Sequence, residues 1–359
     1  PNTASAPDVV SSSLTWERVK TWNVAVDFGL FRNGLTGYFV YYNRQTFDMV
    51  GPAAELPGTL GTGVPRTNNT DLKTYGFDLS IGWNDYLKNG FGYGIKLILS
   101  DSQTEITRYP NETGTLSTYR KGMKMGEIWG YTTVGIAKSQ QEMNNHLASL
   151  PNGGQNVVGS QWSAGDIMYA DMNKDDKIDG GANTLTDHGD LSIIGNNTPR
   201  YLFGLDLTAD YKGFDFLVFF QGVMKHKYFQ SSYFFWGAHG GGVWHSTCLE
   251  PHLDYFRESN DHILGQNLDS YFPRPLFNGR NQHTQTRYLQ NAAYIRLKNV
   301  QLGYTLPQSV INKLPISKLR VFVSGENLWT GTNMFKAFDP ETIDGGWNGS
   351  VYPLSRTIS

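Results

Sequence analysis

The sequence predicts an all-β protein, an antiparallel transmembrane β-barrel segment of about nine strands with long extracellular loops. Two observations carry this. Apolar and small polar residues alternate over segments long enough to cross a bilayer, and the connections between them alternate between short and long. Composition agrees: 20 Tyr, 20 Phe and 9 Trp stand beside only 17% charged residues, and 40 glycines suit a chain of many turns.

The clearest strand lies in residues 73–84. Tyr75, Phe77, Leu79, Ile81 and Trp83 alternate with Thr74, Gly76, Asp78, Ser80 and Gly82, so one face is aromatic and apolar and the other small and polar. Residues 16–31 repeat the pattern through Trp22, Val24, Val26, Phe28 and Leu30; residues 91–109 do so through Phe91, Tyr93, Ile95, Leu97 and Leu99. Residues 200–211 place Tyr201, Phe203, Leu205 and Leu207 opposite Gly204, Asp206 and Thr208. Further strands are expected at 35–50, 213–223, 291–305, 318–329 and, cut short, 351–359. Within 291–305 the apolar set shifts from Ile295 and Leu297 to Val300, Leu302 and Tyr304, which a bulge near Lys298 reconciles.

Arg32-Asn33-Gly34, Asn89-Gly90 and Tyr211-Lys212-Gly213 are tight-turn signatures, and residues 307–316 make a compact connection. Between them fall long connections at about 51–72, 110–199, 224–290 and 331–350. Short turns on the periplasmic side and long loops outside are the topology of outer-membrane barrels. A soluble β-sandwich also has alternating strands, but soluble strands usually number five or six residues, and lipid-facing rows favour Phe, Tyr and Trp.

Other classes fare worse. The formal net charge of -2 gives no basic surface for nucleic acid. Cys248 is the single cysteine, so neither an internal disulfide framework nor a thiolate zinc site is expected. No run of about 18 apolar residues marks a transmembrane helix, a test that barrel strands escape. No nucleophile elbow, HExxH or phosphate-cradling glycine loop is present, so no enzyme is expected.

Five motifs, in order along the chain, resemble the SusC/RagA class of TonB-dependent outer-membrane transporters. They are GEIWGYTTVGI (126–136), GDIMYADMNKDDKID (165–179), IIGNNTPRYLFGLDLTADYKGFDFLVFFQG (193–222), NAAYIRLKNVQLGYTLP (291–307) and LRVFVSGENLW (319–329). With the opening WERVKTWNVAVDFGLF the resemblance covers nearly the whole chain. It implies a larger barrel of 22 strands around an N-terminal plug, in the outer membrane of a Gram-negative bacterium. It also implies energy from the TonB complex, a SusD-like lipoprotein as surface lid, and a glycan or peptide substrate. Residues 1–359 would be the C-terminal part of that barrel, its first strand running inward from just outside the membrane. Neither the plug nor the TonB-contacting segment has a counterpart in this sequence. Nine strands alone would also leave two unpaired edges in lipid, so a longer chain or other pieces are expected to complete the barrel. A surface-exposed binding or adhesion module without transport is the alternative reading.

Two sets of residues carry candidate chemistry. Asp171, Asn173, Asp175, Lys177 (through its carbonyl) and Asp179 follow the first nine positions of a calcium loop. Asp176 replaces the usual sixth-position glycine and Ala182 the closing carboxylate, which Asp187 or Asp190 would have to supply. Structural Ca²⁺ is therefore an expectation, an acidic solvated loop the alternative, and no cofactor is required. The second set is Trp236, Trp244 and His245, in a glycine-rich outer segment where flat rings can stack on sugars. Loop packing or contact with the lid protein is the competing reading.

Overall fold

In the computed structural model, residues 14–52, 66–242, 244, 246–312, 315–346, 349 and 351–359 are described. Nine strands form one antiparallel sheet: β1 (Arg18–Leu30), β2 (Leu35–Gly51), β3 (Thr67–Tyr86), β4 (Gly92–Arg108), β5 (Arg200–Tyr211), β6 (Phe214–Lys225), β7 (Tyr294–Thr305), β8 (Arg320–Thr332) and β9 (Thr357–Ile358). Each pairs with its sequence neighbours within the sheet, as an up-and-down barrel wall requires.

Directly opposite residues share a face, so the register converts single strands into rows. One row runs Val26, Phe39, Leu79, Leu99, Phe203. Two residues nearer the short turns the next runs Phe28, Gly37, Ile81, Leu97, Leu205, Phe220, Leu297, Trp329. A third runs Leu30, Leu35, Trp83, Ile95, Leu207, Val218, Val300. Many of these side chains are solvent-exposed although apolar, among them Val26, Ile95, Leu97 and Trp329. A continuous apolar face of this extent is a lipid contact. The opposite face carries Asp27, Ser80, Lys96, Asp206, Thr208 and Gln221, the polar lining of a lumen.

The apolar band crosses the strands obliquely. It spans Trp22 to Leu30 on β1, yet the row of Trp22 reaches polar Asn43 on β2 and Gln103 on β4. On β5 it spans Phe203 to Tyr211, four residues closer to the turns. Strands tilted against the membrane produce this slide.

The expected turns form at 31–34 and 87–91 and at Lys212-Gly213; Asn33 (φ 67°) and Lys212 (φ 47°) take the left-handed conformations that such turns need. The bulge expected near Lys298 is present: Leu297 pairs with Trp329 and Asn299 with Glu326, leaving Lys298 unpaired. The loop expected at about 51–72 is shorter, because Thr67 to Asp71 continue β3. This stretch, Thr-Asn-Asn-Thr-Asp, lacks apolar alternation because it projects above the lipid, where both faces are wet. Ion pairs of Asp48 with Arg18 and Arg108, and of Asp71 with Arg108, hold it. The strand expected at 351–359 narrows to Thr357–Ile358, extended by reciprocal backbone bonds of Ser324 and Ser359 at 2.9 Å.

The long loops are not open excursions. Residues from 131–178, 235–288 and 335–338 bury one shared core, with Tyr131, Met143, Ile167, Tyr169, Ile178, Phe235, Phe272 and Tyr288 at its centre. Short strand pairs tie it: Glu127–Gly130 with Ser192–Asn196, Thr133–Ile136 with Ile167–Tyr169, and Lys227–Phe229 with Leu289–Asn291. One helix, α1 (Gln140–Ala148), starts at Ser139, whose side chain accepts from the Glu142 N–H, and buries Met143. The principal hydrophobic core thus lies outside the membrane, capping the wall. The wall exposes its apolar side to lipid and needs no core of its own.

Candidate binding surface of the outer loops

The external core is held by polar side chains that reach between loops far apart in sequence. Asp166 is fully buried. It accepts from Arg274 Nε and Nη2 at 2.7 Å each, from Asn281 Nδ2 at 2.9 Å and from the Ser163 N–H at 3.0 Å. Gln155, also fully buried, accepts from the Tyr169 N–H at 2.6 Å and donates to the Ile167 carbonyl at 3.1 Å. A backbone ladder joins Tyr131 to Thr284 and Thr286. The Asp166 bonds and this ladder fuse two loops, 109–199 and 226–293, into one body, while Gln155 braces the first of them.

On that body opens a cavity of about 450 Å³, lined by Trp236, Tyr255, Phe272, Pro273, Pro275 and Phe277 together with Arg274 and Asn281. His252 closes one side. Its Nδ1 accepts from the Leu249 N–H at 2.9 Å while Nε2 donates to the Phe235 carbonyl at 3.1 Å, which fixes the neutral tautomer. Burial pushes its pKa down against the raising effect of that carbonyl. Apolar walls with a few fixed polar groups suit a ring or a bulky side chain presented from outside.

The three residues expected to touch substrate part company. Trp236 is buried, packed on Tyr288 and Phe235 with ring centroids 4.8 and 5.1 Å away. It lines the cavity but is only 6% exposed, so packing rather than open stacking dominates its surroundings. Trp244 is 92% exposed and stands outside the cavity lining. His245 lies outside the described residues. Tyr255, Phe272 and Phe277, which do line the cavity, carried no sequence signal, since they sit among loop residues without period.

The acidic loop folds on its own backbone. Asp171 Oδ1 accepts from the Lys174 N–H at 2.6 Å and Oδ2 from the Asp176 N–H at 2.9 Å; Asp175 Oδ1 accepts from the Lys177 N–H at 3.3 Å. Asn173 donates to Asp175. Lys177 turns its ammonium onto Asp179 at 2.6 Å, which lowers the Asp179 pKa. Asp190 is fully buried and takes the Met172 and Asp179 N–H groups at 2.7 and 2.9 Å; burial raises its pKa despite them. Asp176 adopts the left-handed φ of 64° expected at the sixth position. Even so, among the described residues no group of three or more His, Cys, Asp or Glu side chains is placed to hold a metal. In this arrangement backbone N–H groups and the Lys177 ammonium occupy several of the oxygens that a cation would use.

An oblique lipid-facing band on an antiparallel wall, crowned by packed loops, defines part of an outer-membrane β-barrel. Its relatives are TonB-dependent receptors. The chain is 26% identical over 350 residues to TonB-dependent receptor P3 of Formosa agariphila, covering 93% of this chain and 31% of that protein. It is 23% identical to TonB-dependent receptor SusC of Bacteroides thetaiotaomicron, covering 99% of this chain and 32% of that protein. Among solved structures, the RagAB peptide importer in its closed-closed state superposes with a TM-score of 0.64 at 22% identity, over 96% of this chain and 35% of that one. No protein-family model matches. The chain spans about a third of the length of the curated relatives it matches. The resemblance to SusC/RagA-type receptors read from the motifs holds, as does the outer-membrane location, and these relatives are receptors and transporters rather than enzymes.

Proposed function

We propose that this chain forms part of the wall and external vestibule of an active importer of oligosaccharides or similarly large nutrients. TonB supplies the energy, and a SusD-like surface lipoprotein works as its lid. The observation that carries the reading is the fused outer-loop body standing on a lipid-embedded wall. A rigid vestibule of this kind positions contacts for a large ligand above a lumen, whereas an ordinary pore needs none. Relatives named TonB-dependent receptors, SusC among them, support the same reading.

Peptides are the second cargo class. RagAB is a peptide importer, and the apolar cavity beside Phe272 and Phe277 suits a bulky side chain as well as a sugar ring. A strain lacking the gene, grown on defined polysaccharides and on peptide mixtures, separates the two. Failure on one glycan alone identifies that cargo, and failure on peptides alone transfers the assignment to peptides. Normal growth on every source, with surface binding intact, would leave the binding or adhesion module as the better account.

A further inference from the structure

Immediately outside the apolar band, the lipid-facing surface carries a groove of about 520 Å³ lined by Lys124, Arg200, Lys225, Lys227, Gln103 and Asn196. Its face follows from register. Gln103 pairs with Tyr75, four residues up β3 from Leu79 of the lipid-facing row, and accepts from the Tyr75 hydroxyl at 2.8 Å. Glu105, two residues further along β4, bridges to Lys124, and directly opposed residues share a face. Arg200 reaches the same side because Tyr201 (φ 55°) reverses the strand, letting Arg200 grip Asp101 with two hydrogen bonds; Lys225, at the end of its strand, lines the same groove. On the other face at this height lie Leu202, Val223 and Tyr294, part of the lumen lining.

Positive charges outnumber negative ones: Asp101 is occupied by Arg200 and Glu127 by Arg120, which leaves Glu105 as the acidic side chain facing Lys73 and Lys124. Among the described residues Lys124, Lys225 and Lys227 make no ion pair, and Lys20 and Lys73 extend the cationic track along the same face of β1 and β3. Tyr75 and Tyr201 form the aromatic border below it. Membrane-facing cations just beyond an aromatic girdle lie at the depth of lipid headgroups.

We propose that this groove binds a phosphorylated headgroup of the outer leaflet. Arg200, held in place by Asp101, offers a planar guanidinium, and the three lysines supply mobile point charges around it. The site goes beyond nutrient import, because it acts on the lipid side of the wall, and growth on a cargo does not report on it.

The test uses the full-length barrel in nanodiscs of phosphatidylcholine containing bisphosphorylated lipid A, dephosphorylated lipid A or neither, with retained lipid counted by native mass spectrometry. The expected result is retention of the phosphorylated lipid only, reduced about tenfold or more in Lys124→Gln/Lys225→Gln/Lys227→Gln. Lys225→Gln alone should lower it about threefold, which keeps the test open if the triple variant fails to assemble. Heat-modifiable gel mobility verifies the barrel, and Lys212→Gln at a turn on the opposite rim should change nothing. Equal retention by the variants, or of the dephosphorylated lipid, overturns the proposal. Displacement of the lipid by inorganic phosphate at matched concentration also overturns it, in favour of a free-anion site.

Discussion

Replacing Asp166 with Ala removes the carboxylate that joins the two largest outer loops. The side chain is fully buried and accepts two bonds from Arg274, one from Asn281 and one from a backbone N–H. Breaking a buried ion pair by deleting one partner typically costs about 3–5 kcal/mol. Arg274 keeps 29% of its side chain exposed and can recover some hydration, which lowers the expected loss to about 2–4 kcal/mol. At about 1.4 kcal/mol per factor of ten, local opening of the outer loops should rise roughly 30- to 700-fold. Limited proteolysis of the full-length barrel in detergent reads that opening, since cleavage tracks the open population when reclosing is fast. Cuts should appear within 140–180 and 255–285 while the barrel keeps its heat-modifiable mobility. Asp166→Asn, which retains acceptor capacity on one oxygen, should fall between. A cleavage rate within twofold of the parent would refute the idea that this carboxylate fuses the loops.

Three further outcomes follow from the same geometry. Leu97→Arg on the lipid face should cost about 2–4 kcal/mol in urea unfolding from vesicles, whereas Ile98→Arg, one residue on and facing the lumen, should cost much less. Equal costs would contradict the face assignment. Burial lowers the folded-state pKa values of His146 and His252 below the ordinary histidine value of 6.5. Their contribution to stability is therefore complete above pH 6.5 and lost as pH falls through the folded-state values. Loop proteolysis should accelerate on acidification from pH 7.5 to 5.5, and His252→Gln should flatten the profile. Excess EGTA should leave the melting temperature of the outer loops within about 1 °C, because the acidic loop closes on its own backbone; a fall above about 5 °C would show a structural metal there.

The wall was legible because its physics is local and periodic. In residues 73–84 every second side chain meets lipid, and Asn33 and Lys212 mark turns by the conformations they tolerate. Even the Lys298 bulge showed as a phase slip between Leu297 and Val300. The external body was not legible, because its decisive contacts are distant: Asp166 meets Arg274 across 108 positions, and Tyr131 meets Gln285 in a single bridge. Trp236 illustrates the same limit. A tryptophan in a glycine-rich outer segment reads as exposed until Phe235 and Tyr288 pack against it. The acidic motif reads two ways for a related reason, since Asp171, Asn173 and Asp175 also accept from backbone N–H groups in tight turns.

The alternation of lipid and lumen along β3 is the claim on which the rest stands. With Cys248 replaced, single cysteines at positions 75 to 83 of the full-length barrel can be tested in vesicles with an aqueous maleimide and a lipid-soluble one. The expected result is strict alternation, with positions 75, 77, 79, 81 and 83 reacting from the lipid and 76, 78, 80 and 82 from water. A uniform response along the strand, or alternation in the opposite phase, would contradict it.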